Sequence, residues 1–401
     1  MSLQQWSKYY RIWINHSIFY SFSANISMVF HQAYAIRILN YGVDELGTLT
    51  FINLAFLALG NLLSPILLQR YRDKRVALWK IFTSTNIISW SLIGFSDIIP
   101  GRYTLYILVA LAQFSGAAGN LAYSDTIADM IPKEESVRIF SRANTLFTSS
   151  ALAALVLSVS LFGIMGPNLL SYRICYSVSF GAALISVAFL LMMRDPSRRN
   201  PSMLSFGDVL NGYQGVLNNV KIKSYIVFMS VFTFFVNVPG ALWNYYIINI
   251  FRGSETWISL NNITSILGLS IGSYTISKFY HRVNPKNVFV ISVIPISLVP
   301  LFFLISYTME YQAVLNLFSG FSWSAFNLVA GIYNLYIAGE HERIYMLSML
   351  GIVSNLAAAT ASKLGSFIAS VNLIAMQSTF IVSFIGRLLM YIYGRRKLPS
   401  I

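Results

Sequence analysis

Charged residues are scarce in this sequence. Asp, Glu, Lys and Arg together make up 10% of its 401 residues, against about 25% in an ordinary soluble domain. Hydrophobic residues make up 56% of the chain, and the mean hydropathy is +0.62. A soluble fold could not hide so much apolar surface from water, so the composition excludes that class and predicts a protein embedded in lipid.

Cysteine and several catalytic sequence patterns are also missing. The single cysteine, Cys175, excludes a disulfide within the chain and argues against a metal or redox site built on cysteine. The sequence contains no G-x-x-x-x-G-K-[ST] and no H-E-x-x-H, which are the patterns of ATP-binding loops and zinc proteases. We therefore predict that the protein is not an enzyme, uses no cofactor or metal, and is not driven by ATP.

What the sequence does have is a series of long apolar runs, each close to the roughly 20 residues that a helix needs to cross lipid. The runs lie near 13–38, 47–68, 76–97, 103–128, 140–165, 171–193, 224–250, 256–278, 287–308, 312–337, 344–369 and 373–393. An open sheet cannot satisfy its backbone in lipid, so these runs are predicted to be helices. The sequence thus indicates an all-α membrane protein with twelve transmembrane helices and both termini on one side.

The basic residues are distributed unevenly along this topology. The segment Pro65 to Arg75, PILLQRYRDKR, carries a dense group of them between spans 2 and 3. Most of the 28 Lys and Arg residues lie in segments on that same side of the predicted membrane. The positive-inside rule makes that side cytoplasmic, so we predict a multi-pass protein of the cell membrane with cytoplasmic N- and C-termini. The net charge of +14 then reflects topology, and no nucleic-acid partner is predicted.

The second half of the sequence repeats features of the first. At an offset of 208 residues, Asn53 matches Asn261. At an offset of 204 residues, Phe114-Ser115-Gly116 matches Phe318-Ser319-Gly320. A repeat of this length predicts two six-helix halves in the same orientation, related by an axis along the membrane normal.

The repeat sets the predicted domain boundaries. The halves cover residues 1–193 and 223–401, and a polar cytoplasmic linker joins them at 194–222. Within the linker, Ser205 to Val220 has the pattern of a short amphipathic helix, capped by Ser205. Its apolar side chains predict a helix on the membrane surface. They are Leu204, Val209, Leu210, Tyr213, Val216 and Leu217.

Two segments of the sequence resemble the major facilitator superfamily. Its signature after span 2, roughly G-x-x-x-D-R-x-G-R-R, corresponds to Pro65 through Arg75, with Gln69 in place of the acidic residue and no glycine at either glycine position. Its pattern at the end of span 4 corresponds to Asp129, Pro132, Glu135 and Arg138. The resemblance implies two pseudo-symmetric six-helix halves and secondary transport by alternating access, in a chain that acts as a monomer.

The charged residues in these two segments form a predicted cytoplasmic clamp. Opposite charges on neighbouring cytoplasmic loops attract one another, so the acidic group after span 4 can pair with the basic group after span 2. The resemblance implies that breaking this clamp gates the transporter. The predicted gating residues are Arg70, Arg75, Asp129, Glu135 and Arg138.

Polar side chains recur at helical spacing on spans 1, 4, 7 and 10. Polar groups in lipid are costly and usually face an interior or a cavity, and in the resembled family these four helices line the central cavity. The predicted substrate-binding residues are Asn25, Gln32, Gln113, Asn120, Asn237, Asn244, Asn316, Trp323 and Asn327. The alternative is that these amides hold helices together. A cavity lined by amides suits a small polar solute such as a sugar, an amino acid or a nucleoside.

The driving force and the exact function stay open at this point. His31 in the outer part of span 1, His16 near its inner end and Asp125 near the end of span 4 are the candidates for carrying a coupled proton, while facilitated diffusion or another coupling ion fits equally well. An exporter of amphipathic drugs with the same fold is the alternative function, and a membrane receptor or scaffold without transport is a further one. Lys363 is predicted to extend outward to the membrane surface or to serve structure, with pairing to a carboxylate or to an anionic substrate as alternatives, and Arg387 is predicted to extend outward. The expected partners are the solute and membrane lipid.

Overall fold

The computed structural model describes residues 3–98, 103–131, 136–195, 206–279 and 284–399. In these ranges the regular structure is helical, without a strand. The α-helices are α1 Leu3–Arg37, α2 Val43–Arg70, α3 Arg75–Leu92, α4 Tyr103–Met130, α5 Ser136–Met165, α6 Leu169–Leu191, α7 Phe206–Asn218, α8 Val220–Asn237, α9 Leu242–Tyr245, α10 Glu255–Phe279, α11 Pro285–Leu304, α12 Met309–Tyr336, α13 Glu340–Ala369 and α14 Leu373–Lys397. A π-helical turn, Tyr246–Ile250, follows α9 directly.

Side-chain caps explain where several of these helices begin. A helix leaves its first backbone N–H groups without partners, and Asn or Thr just before the first turn can accept from them. The capping residues are Asn168 before α6, Asn219 before α8, Asn284 before α11, Thr308 before α12 and Asn372 before α14. The capping residues in the sequence therefore mark where these five helices begin.

Nine helices in the described ranges are long and apolar enough to cross a membrane. They include the whole stretch Val220–Ile250, in which α8, α9 and the π-helical turn form one interrupted span. Three further predicted spans correspond to α1, to α3 and to α10, which carry more polar residues. Together they make a multi-pass membrane protein.

The chain divides into two compact units. The first is Met1–Leu39 with Phe56–Phe206, and the second is Asn40–Ala55 with Gly207–Ile401. In the first unit α1 contacts α5 and α6, and α3 contacts α4 and α6. In the second unit α8 contacts α13 and α14, and α11 contacts α12 and α14. When the helices are numbered by the predicted spans, one to six and seven to twelve, these are the same four pairs in each unit.

Glycines at matching places in the repeat let helices approach closely. In the first unit, a Cβ on Gly60 of α2 would lie 2.7 Å from the backbone oxygen of Phe114 in α4. In the second unit, a Cβ on Gly268 of α10 would overlap the backbone oxygen of Leu317 in α12, and one on Gly320 would overlap that of Ser265. The repeat in the sequence therefore includes the contact surface of a helix pair.

This packing gives a testable difference between two glycines of α12. Gly320→Ala places a methyl group against the Ser265 carbonyl of α10, whereas the same change at Gly331 meets nothing within 4 Å. Alanine also favours a helix over glycine by roughly 1 kcal/mol. We expect Gly320→Ala to lower the melting temperature of the purified protein and Gly331→Ala to leave it unchanged or raise it. Equal melting temperatures for the two variants would contradict the packing.

The linker helix differs from its predicted position. In α7, the Tyr213 hydroxyl is 2.8 Å from the Ser348 hydroxyl of α13, and Val216 is buried in the apolar core of the second unit. Gly212 lies against the Tyr345 ring. The prediction that Tyr213 and Val216 face the membrane surface is therefore wrong, because α13 offers them an apolar face and a hydrogen-bond partner. Leu217 is exposed, while the side chains of Leu204, Val209 and Leu210, together with Ser205, lie outside the described residues.

Candidate functional site

The first unit contains a cavity of about 450 Å³ between α1, α3, α4 and α5. Its wall combines amides, hydroxyls and aromatic rings. The lining residues are His16, Ser17, Tyr20, Ser21, Ala24, Asn25, Met28, Trp79, Thr83, Asn86, Gln113, Gly116, Gly119, Asn120, Tyr123 and Phe147. In this described wall no side chain is a carboxylate, a lysine or an arginine.

Local hydrogen bonds fix several of these polar groups. Asn86 of α3 donates from Nδ2 to the Ala112 carbonyl of α4 at 2.6 Å and accepts from the Tyr20 hydroxyl of α1 at 2.7 Å. Asn25 donates from Nδ2 to the Ser21 carbonyl one turn earlier at 2.8 Å. These bonds hold the amide planes, so the remaining donors and acceptors have defined directions before any solute enters.

The predicted polar faces of spans 1 and 4 meet in this cavity. Asn25, Gln113 and Asn120 all line it. Gln32 is buried further along α1 and lies outside the described wall. His31 is also buried there, with Nδ1 2.7 Å from the Met28 carbonyl and its ring packed edge-on against Trp90.

Several lining residues were not predicted. Asn86, Thr83 and Trp79 come from α3, a span for which the sequence analysis singled out no polar face. Tyr20 of α1 and Tyr123 of α4 were not predicted either. The spacing of Trp79, Thr83 and Asn86 at steps of four and three residues is the signal that would have found this face.

The second unit contains a smaller cavity of about 130 Å³ between α9, α10, α11 and α12. Its polar lining is again made of amides. They belong to Asn244, Asn261, Asn262, Gln312 and Asn316. Asn261 is 4% exposed, and in the described structure neither polar atom of its side chain has a hydrogen-bond partner. The predicted residues Asn244 and Asn316 therefore line the same cavity, which is a different one from the cavity that Asn25 lines.

The other predicted residues of spans 7 and 10 lie outside the described walls of both cavities. Asn237 ends α8 and donates from Nδ2 to the Thr233 carbonyl at 2.9 Å. Trp323 packs edge-on against Phe326 and close to Phe232 in the apolar core. Asn327 is exposed.

A buried arginine holds the ends of three helices of the first unit. The Arg75 side chain at the start of α3 is 0% exposed. Its Nη1 is 2.7 Å from an Asp129 oxygen and 3.0 Å from an Asp125 oxygen, both on α4. Its Nη2 and Nε donate to Asp195, after α6, at 2.9 Å and 3.2 Å. Pairing between the two charged segments is thus confirmed for Arg75 and Asp129, and Asp195 is a partner that the sequence did not reveal.

The electrostatics of this cluster follow from its geometry. Burial alone would lower the pKa of the Arg75 guanidinium, but its hydrogen bonds to Asp195, Asp129 and Asp125 outweigh that effect and raise the pKa above its ordinary value. Asp125, predicted as a proton carrier, is thereby engaged in an ion pair.

The remaining predicted gating residues have different positions. Arg70 is exposed at the end of α2, with its guanidinium 5.7 Å from the centre of the Tyr71 ring. Glu135 and the side chain of Arg138 lie outside the described residues, so their gating role stays a prediction.

Two basic residues inside spans also have defined partners. Lys363 of α13 lies 2.6 Å from an Asp44 oxygen and 2.9 Å from the Thr48 hydroxyl, both at the start of α2. Arg387 of α14 is 3% exposed, so the prediction that it extends outward is wrong. Its guanidinium donates to the Ile296 and Val236 carbonyls at 3.0 Å and 3.3 Å. Backbone carbonyls within the unit thus accept from both Nη atoms, while Nε has no partner in the described structure.

Comparison with solved structures found membrane transporters that share the fold along nearly the whole chain. A mutant form of the nucleoside transporter NupG has a TM-score of 0.75 at 14% identity, with 97% of this chain and 100% of that chain covered. A POT family transporter in complex with 5-aminolevulinic acid has a TM-score of 0.73 at 10% identity, covering 97% and 96%. The inward-open xylose transporter from E. coli has a TM-score of 0.69 at 12% identity, covering 98% and 96%.

The sequence itself matches no protein-family model and no curated protein. The structural likeness shows the fold: the chain folds as these membrane transporters do, in agreement with the fold that its sequence resemblance implied.

Proposed function

We propose that the protein is a secondary transporter that moves a small, uncharged, polar solute across the cell membrane by alternating access of its two six-helix halves. The halves are residues 1–193 and 223–401, joined by the linker 194–222, with both termini cytoplasmic. The matching helix pairs of the two units and the uneven distribution of basic residues support this arrangement.

The observation that carries the proposal is the chemistry of the larger cavity. Its described wall offers amide and hydroxyl groups beside aromatic rings, and no fully charged side chain. A solute with a formal charge would lose its hydration there without gaining a counter-charge, which is costly. A neutral solute with several hydroxyl or amide groups would exchange water for amides, and a ring could stack on Trp79 or Tyr123. Nucleosides and pentoses have this chemistry.

The structural neighbours agree with this class of solute without defining it. One is named as a nucleoside transporter and another as a xylose transporter. An exporter of amphipathic drugs is less well supported, because the wall is rich in amides where such a solute would need apolar contacts.

Uptake into proteoliposomes tests the proposal. Purified protein would be reconstituted and offered labelled uridine, adenosine, xylose and a dipeptide in separate reactions. We expect saturable uptake of at least one of the two neutral classes, nucleoside or pentose, above the level of empty vesicles. Uptake of none of these solutes above that level would contradict the proposed substrate class.

We further propose that any proton coupling runs through His16. In the described wall of the larger cavity it is the one imidazole, a side chain that can take up and release a proton. Its Nδ1 is 2.9 Å from the Ser186 hydroxyl and 3.1 Å from the Ser186 carbonyl, which orients the ring. Asp125 is bound to Arg75, and His31 lies outside this wall.

A pair of variants separates the two histidines. Where an inside-alkaline pH gradient accelerates uptake, His16→Gln is expected to abolish the acceleration and His31→Gln to keep it. The measurement is the ratio of initial uptake rates with and without the gradient. A ratio that is preserved in His16→Gln and lost in His31→Gln would reverse the assignment.

A further inference from the structure

Arg387 is a buried charged residue whose hydrogen-bond partners are backbone carbonyls. It lies in the middle of α14 and is 3% exposed, yet in the described structure no carboxylate pairs with it. A buried cation without a counter-ion is expensive unless other groups stabilise it. The groups that do so are backbone carbonyls, and each of them is free for a specific reason.

The first set of carbonyls belongs to the end of α8, where the span Val220–Ile250 is interrupted. The last four carbonyls of a helix have no partner within it. Here the Phe234 carbonyl accepts from Val238 N at 3.1 Å, and the Asn237 carbonyl accepts from Gly240 N at 2.9 Å. That leaves the carbonyls of Phe235 and Val236.

Both of these carbonyls are satisfied by one face of α14. The residue that would donate to Phe235 in a continuous helix is Pro239, which has no N–H. The Ser383 hydroxyl donates to the Phe235 carbonyl instead, at 2.6 Å. Arg387, one turn further along α14, donates from Nη2 to the Val236 carbonyl at 3.3 Å. The end of α8 thus has no unpaired carbonyl in the described structure.

The other Arg387 bond goes to a carbonyl released by a second proline. In an α-helix the N–H of residue 300 would bond to the carbonyl of residue 296. Position 300 in α11 is Pro300, so the Ile296 carbonyl is free, and Arg387 Nη1 donates to it at 3.0 Å. One guanidinium therefore bridges two helices at the two places where their own hydrogen bonding fails.

The charge of Arg387 also has a partner in this arrangement. The carboxyl end of a helix carries a partial negative charge, about half an elementary charge. Arg387 lies at that end of α8, through its bond to Val236. An arginine here supplies both missing donors and also places a positive charge at the negative end of α8, which a neutral side chain could not do.

The interruption that Arg387 holds is adjacent to the smaller cavity. Trp243 and Asn244 follow it in α9 and line that cavity. Trp243 packs edge-on against Phe303 of α11 at 4.6 Å and Phe380 of α14 at 5.0 Å. Trp243 therefore packs against α11 and α14, which are the same two helices that Arg387 links to the end of α8.

We propose that Arg387 is a positioning residue that fixes the interruption between α8 and α9 by donating to the Val236 and Ile296 carbonyls, which lack their helical donors at Gly240 and Pro300, and so sets the placement of Trp243 and Asn244. Its link to transport rests on the proposed function, but its link to the interruption does not.

Hydrogen–deuterium exchange tests the structural part without any solute. R387K keeps the charge and most of the volume but replaces two forked donors by one nitrogen. The amides of residues 238–246 are expected to exchange about tenfold faster in R387K than in the wild-type protein, because an unpaired carbonyl loosens the segment. Unchanged exchange in this segment would overturn the proposal.

A proline substitution provides the specific rescue. P300A restores an N–H that can bond to the Ile296 carbonyl, so the single nitrogen of R387K becomes sufficient for Val236. In the double variant R387K/P300A, the exchange rates of the amides of residues 238–246 are expected to lie within about threefold of those in the protein that carries P300A alone. P295A is the matched control, since it lies on the same helix but releases a different carbonyl, that of Ile291. If P295A slows amide exchange in R387K as much as P300A does, the proposal is overturned. Where R387K folds poorly, the yields of folded R387K/P300A and R387K/P295A give the same comparison.

The uptake assay then addresses transport separately. For labelled uridine or xylose, whichever the wild-type protein carries, R387K is expected to raise KM more than it lowers Vmax, and P300A to restore KM. A normal KM in R387K would overturn the role in positioning Asn244. Uptake of neither solute by the wild-type protein contradicts the proposed function, while the exchange experiment still decides the role of Arg387.

Discussion

Replacing Arg75 by methionine is expected to lower the free energy of unfolding by about 3–5 kcal/mol, the cost of removing one partner from a buried group of charges. The Arg75 side chain is fully buried and bonded to Asp125, Asp129 and Asp195. Methionine fills a similar volume but removes the guanidinium that the three carboxylates share. Those carboxylates join the ends of α4 and α6 to the start of α3, so their repulsion would separate three helices.

Thermal unfolding of the purified variants measures this effect. Arg70→Met is the matched control, because Arg70 belongs to the same basic segment but is exposed. An exposed charge contributes little, so this control is expected to change stability by less than about 1 kcal/mol. Neutralising the partners as well, in Arg75→Met with Asp125→Asn, Asp129→Asn and Asp195→Asn, is expected to restore part of the loss. Equal stability of Arg75→Met and Arg70→Met would refute the account of this cluster.

The second large effect is expected at the amides of the larger cavity. Gln113→Leu and Asn120→Leu each keep the approximate shape of the side chain but remove its hydrogen-bonding groups. A solute that has given up water to bind these amides would then carry unpaired polar groups. We expect kcat/KM for uptake to fall roughly 10- to 100-fold in each variant, corresponding to the cost of one or two lost hydrogen bonds.

A control for that experiment lies in the linker helix. Asn211 is exposed on α7, outside the described wall of either cavity, and Asn211→Leu is expected to leave uptake unchanged. Melting temperatures of all three variants would show whether any loss reflects unfolding. If Asn211→Leu lowers uptake as much as Asn120→Leu does, the larger cavity has no special role.

Hydropathy allowed the helices to be predicted, because lipid imposes one strong condition on every span. The polar faces of α1 and α4 were predictable for a related reason: a polar residue in a span must turn towards protein or water, so Asn25, Gln113 and Asn120 could be placed together from spacing alone. The same reasoning did not separate Asn244, which lines the smaller cavity, from Asn327, which is exposed and lies outside the described walls of both cavities. Both have helical spacing, and the difference depends on how helices pack around them.

Contacts that depend on tertiary packing were not accessible from the sequence. The sequence shows Pro239 and Pro300, and each proline releases a carbonyl four residues earlier. It does not show that the Ile296 carbonyl, released by Pro300, and the Val236 carbonyl at the end of α8 lie within reach of a single side chain on α14, so Arg387 was predicted to extend outward. Asp195 was missed for the same reason, since nothing in a span order brings the end of α6 to the start of α3.

The central claim is that the transported solute carries no net charge. Its most direct test compares matched pairs that differ by one phosphate, uridine with uridine monophosphate and xylose with xylose phosphate, as competitors of uptake in proteoliposomes. The uncharged member of a pair is expected to compete at concentrations at which its phosphate ester has no effect. Stronger competition by the phosphate esters would contradict the claim.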